Sequence, residues 1–135
     1  MGVVSFFGGL RAKKPSAVTL TSAIASTEQA LTVVFRDIAS EKNQMLYPTQ
    51  THTMSHAEHR ANVVSSAKNL ILSIDTLIFA SQDKPLVPAL LDLTTAAELL
   101  EKSILAYQEN DHVLSQLLLA CSSIKINLEK FRSDL

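Results

Sequence analysis

Tryptophan is absent from this chain, cysteine occurs once, and the three glycines all lie before residue 10. Each shortage closes a class of function. Without a glycine-rich turn in the body of the chain there is no loop to cradle a phosphate, so nucleotide-binding folds of that kind are excluded. With 5% aromatic residues and no Trp, stacking platforms for bases are lacking. A lone Cys121 leaves no disulfide framework within the chain. Charge is scarce as well: Asp, Glu, Lys and Arg make up 19% of the chain and balance to a net charge of -1, which leaves no field to attract nucleic acid or an anionic bilayer. No run approaches the roughly 20 apolar residues that span a bilayer.

What the sequence has is a helical rhythm. Apolar residues recur at steps of three and four in four separate stretches, with Thr27 as the one polar slot in the first. The first stripe is Ala17, Leu20, Ile24, Leu31, Val34 and Ile38; the second is Val63, Ala67, Leu70, Ile74 and Leu77. The third runs through Leu86, Leu90, Leu93, Ala97, Leu100, Ile104 and Tyr107, and the fourth through Leu114, Leu117, Cys121, Ile124, Leu128 and Phe131. A step averaging about 3.5 keeps one helix face aimed at a neighbour. Four such seams in a 135-residue chain predict an all-α, antiparallel up-down-up-down four-helix bundle. Cys121 falls on the fourth seam, where a thiol packs as a small hydrophobe, and its solitary presence fits a cytoplasmic setting.

Local signals set the expected boundaries. Residues 1–14 form an apolar-then-basic leader, the reverse of a secretory signal's order. Phe6 occupies the position where myristoylation wants Ser or Thr. At most this leader makes peripheral membrane contact, with Phe6, Phe7 and Leu10 inserted and Arg11, Lys13 and Lys14 at the interface. Pro15 and Ser16 open a helix expected over 15–42. A polar loop holding Pro48 follows, and Ser55 with Glu58 reads as a capping box that starts a helix over 55–82. Helices over 84–109 and 111–132 complete the bundle, Pro88 being tolerated only in a first turn.

No catalytic constellation emerges, and no enzyme activity, cofactor or metal is expected. His52, His56 and His59 would line one face if the stretch were helical throughout, but capping by Ser55 leaves His52 in the loop and breaks a three-imidazole site. A di-iron bundle needs paired Glu-x-x-His motifs, and only Glu109 with His112 is present. Ser55-His56-Ala57-Glu58-His59-Arg60 is loosely similar to the histidine box of sensor kinases, so a histidine phosphotransfer domain with His56 or His59 as phosphoacceptor is the enzyme-like alternative.

Apolar residues off the seams carry the functional expectation. At about 100° per residue, Leu72 and Phe79 lie nearly opposite the second seam and one heptad apart, as do Leu119 and Ile126 on the fourth helix. Val33, Leu91 and Leu99 also miss their seams. Such rows suit a partner's amphipathic helix or a second copy of the chain. The segment Ser65-Ser66-Ala67-Lys68-Asn69-Leu70-Ile71-Leu72-Ser73-Ile74-Asp75 resembles helices of the focal-adhesion-targeting and vinculin or talin-rod type. That resemblance implies a non-catalytic adaptor whose hydrophobic grooves receive short Leu-Asp-type helices, with Lys68 as a flanking cation and Leu72 in the groove. The expected function is a non-enzymatic adaptor, scaffold or assembly subunit, with Leu72, Phe79, Leu119, Ile126 and Lys68 as partner-binding residues. A secretion or assembly chaperone is a further alternative.

Overall fold

A computed structural model describes residues 19–47, 55–81 and 88–133, except for the side chains of Ala89 and Asp111. The described chain is all-α, with helices α1 (Leu20–Leu46), α2 (His56–Ala80), α3 (Pro88–Glu109) and α4 (Leu114–Ser133), and one 3-10 turn at Asp111–Val113. The leader, Ala17, His52 and Leu86 lie outside the described residues.

Caps explain where the helices begin. The first starts at Leu20, later than the expected Pro15, because the Thr19 side chain accepts the Ser22 N–H at 3.1 Å and closes the free first turn. It also runs past Lys42 to Leu46. The second begins as expected: Ser55 Oγ accepts the Glu58 N–H at 3.2 Å, and the Glu58 carboxylate reaches back to the Ser55 N–H at 3.4 Å. Pro88 is the first residue of α3, where its missing N–H costs nothing. Between α3 and α4, the Asn110 side chain accepts the His112 N–H at 2.9 Å and tightens the turn.

The seams meet in one core. Every described seam residue is buried except Leu20, which packs on the core's edge. Thr27, the polar slot, is fully buried and satisfied: its hydroxyl donates to the Ala23 carbonyl at 2.8 Å and across to the Ser73 carbonyl of α2 at 3.3 Å. α1 packs chiefly on α2 and α3 on α4, while α2 against α3 and α1 against α4 close the arrangement more lightly. By length and composition α2 could cross a bilayer. Here its seam of Val63, Ala67, Leu70, Ile74 and Leu77 is spent on the bundle interior.

Candidate functional site

Two features stand out from an interior that is chiefly apolar. One is a fully buried carboxylate that meets groups of two other helices. Glu41 sits three residues past Ile38, on the continuation of the first seam, and is fully buried. A bare carboxylate there would be costly to desolvate. Its Oε2 accepts a hydrogen bond from the Tyr107 hydroxyl of α3, which is also fully buried, and lies 3.2 Å from Nε2 of His56 at the start of α2. Oε1 has no hydrogen-bond partner among the described residues. Burial, and then the adjoining Glu41, hold the Tyr107 hydroxyl well above the usual phenol range and outweigh the opposing pull of Arg60.

Arg60 completes this end of the molecule. Its guanidinium donates to the carbonyls of Tyr107 at 2.9 Å and Gln108 at 3.1 Å, taking up acceptors that the last turn of α3 leaves open, and it lies 5.3 Å from the Tyr107 ring centroid. The cluster therefore ties the end of α1, the start of α2 and the end of α3 together. His56 keeps 42% of its side chain exposed, whereas His59 is buried, so of the two proposed phosphoacceptors only His56 meets solvent. Among the described residues no three His, Cys, Asp or Glu side chains converge on a point where a metal could sit. Cys121 is fully buried, and burial pushes its thiol up to about 12, which leaves it protonated and a weak nucleophile at neutral pH.

The second feature is apolar surface. Leu119 is 69% exposed and Ile126 55%, and Lys68 is exposed. Leu72 and Phe79 are only half-buried and do not form an open row. The two rows also belong to separate surfaces: α2 neighbours α1 and α3, and α4 neighbours α3 and α1, so α2 and α4 are diagonal. A single partner helix cannot lie on all four residues at once.

Two grooves flank α4. One, of about 230 Å³, lies between the end of α1 and the start of α4, with Ile38, Met45, Leu46, Leu114 and Leu118 as apolar walls and Lys42 and His112 at the rim. The other, of about 410 Å³, runs between α3 and α4 and is more polar, bringing Leu99 and Ala96 beside Ser123 and Asn127. Sequence reasoning missed the first groove and the Glu41 cluster. The signal for Glu41 was its spacing from Ile38; a charged residue on a seam position announces a buried partner. No protein-family model, curated protein or solved structure matches this chain.

Proposed function

We propose that the chain is an up-down-up-down antiparallel bundle that works in the cytoplasm as a non-enzymatic adaptor or assembly subunit, taking up an amphipathic helix of a partner protein. The topology is supported by four cross-helix contacts. Early Thr27 meets late Ser73, late Glu41 meets early His56, early Arg60 meets late Tyr107, and early Glu28 meets late Arg132 at 2.7 Å.

The observation that carries the functional reading is the open apolar groove between α1 and α4, with Leu46 61% exposed at its mouth. An apolar trough rimmed by a cation suits a helix with one apolar face and acidic flanks, and Lys42 supplies that cation. This is the mode implied by the resemblance of residues 65–75 to focal-adhesion-type helices, transferred to a different pair of helices. The experiment is affinity capture with wild type beside Leu46→Asp and, separately, Leu72→Asp with Phe79→Asp. Loss of captured proteins with Leu46→Asp alone is expected; an unchanged set with that variant sinks the groove.

A phosphotransfer reading keeps one observation in its favour, the half-exposed imidazole of His56 anchored by Glu41. Incubation with acetyl phosphate should leave no acid-labile phosphate on wild type that His56→Asn lacks. A His56-dependent phosphate would replace the adaptor reading with this one.

A further inference from the structure

We infer that the outward face of α4 is a self-association surface, occupied by the α4 of a second copy of this chain lying antiparallel to it across a two-fold axis between Ser122 and Ser123. The inference rests on the same apolar exposure as the adaptor reading but assigns the Leu119–Ile126 row to a different occupant, leaving the α1–α4 groove for a partner.

The face itself carries the argument. At about 100° per residue, Ser115, Leu119, Ser122, Ser123, Ile126 and Lys130 share one strip of α4. The strip is nearly its own mirror in sequence. An antiparallel pairing centred between Ser122 and Ser123 places Leu119 of one copy on Ile126 of the other and puts the two small residues at the axis, where close approach is needed. A two-fold contact requires this self-complementarity. Both serines tolerate being covered. The Ser122 hydroxyl donates to the Leu118 carbonyl at 3.0 Å, and the Ser123 hydroxyl accepts from the Asn127 amide at 3.4 Å, so the Ser122 proton is already placed and the Ser123 proton is left to be given to the facing serine of the second copy.

Charge selects the direction. Lys130 is the one full charge among these six residues, with exposed Glu129 about 20° beyond Ser122, and antiparallel pairing sets the two copies of Lys130 roughly 22 Å apart along the axis, beyond the Debye length at physiological salt. Each then faces Ser115. Parallel pairing would instead bring Lys130 against Lys130. Area is sufficient for a weak dimer: Leu99 of α3 borders the strip across the α3–α4 groove. A two-helix face about 30 Å long and 20 Å wide would bury roughly 1,200 Å² in total, the lower bound of specific interfaces.

Sedimentation velocity of the full chain from micromolar to millimolar concentration tests this. Wild type should convert from monomer to dimer across that range, and Leu119→Asp or Ile126→Asp should weaken dimerisation by about tenfold or more with an unchanged helical spectrum and melt. Leu105→Asp, an equally exposed position on the other flank of α3, should not weaken it. Geometry is read by mixing Leu119→Cys with Ile126→Cys under mild oxidation: the mixture should link, and neither variant should link to itself. A wild type that stays monomeric, or self-linking of either cysteine variant in preference to the mixture, overturns the proposal. Loss of dimer with retained partner capture leaves the adaptor reading standing, so the two fail separately.

Discussion

The Tyr107 hydroxyl donates a hydrogen bond to the buried carboxylate of Glu41, 66 positions earlier in the chain, and so joins α3 to α1 through the interior. Tyr107→Phe removes one of the two groups on Oε2 and leaves His56 beside it, so it should cost about 1 kcal/mol, the net worth of one buried hydrogen bond. Replacing both groups, with Glu41→Leu and Tyr107→Phe together, should recover much of that loss, since a buried charged group is often no better than an apolar one of similar size. Urea unfolding of the two single variants and the double variant measures the coupling, and additive losses would show that the bond contributes nothing.

Alkaline pH should loosen the bundle through Cys121. Its thiol is raised from 9.0 to about 12 in the folded protein, so above pH 9.0 the unfolded chain releases a proton that the folded one retains. Stability from this group is full below that point and is lost as the pH rises toward 12. Cys121→Ala should cost stability at pH 7, with the gap to wild type closing as urea midpoints are measured at successively higher pH. Tyr107 acts in the same direction at still higher pH, because its hydroxyl is also held protonated by the fold.

The seams should carry the stability. Leu70 and Leu117 are fully buried, so truncation of either to Ala should cost about 2 to 5 kcal/mol. Leu119→Ala, at a largely exposed position, should cost within about 0.5 kcal/mol. Thermal melts of dilute protein separate these outcomes, and equal losses at Leu117 and Leu119 would contradict the packing described.

The core was legible because burial follows helix period, and period is visible in sequence. Ile24, Leu31, Val34 and Ile38 announce a face, and all four are buried. Thr27 was recognisable as the polar exception; its bond to Ser73 was not, since periodicity within one helix says nothing about its height against another. Glu41 was hidden for a different reason. Charge is normally paired with solvent, and although Glu41 lies within the helix expected over 15–42, its spacing from Ile38 does not say which group of another helix meets it; that is the Tyr107 hydroxyl. Leu72 and Phe79 illustrate the limit of a helical wheel: it gives the angle from a helix's own core but not how far neighbouring helices wrap around it. Leu119 and Ile126, on a helix whose outer side is open, came out as the angles implied.

The uneven packing of the helices bears on how the bundle opens. α1 with α2, and α3 with α4, share the larger contacts, whereas α2–α3, also neighbours in sequence, and α1–α4 are lighter. Adjacent helices cost little loop entropy to bring together, so among them the size of the packed surface decides which hold. The pairs α1–α2 and α3–α4 are the units best able to stay together when the lighter seams part. The cluster that spans both pairs, Glu41 and Arg60 from one and Tyr107 from the other, exists only where the pairs meet. It ties them together, and parting of the pairs would break it.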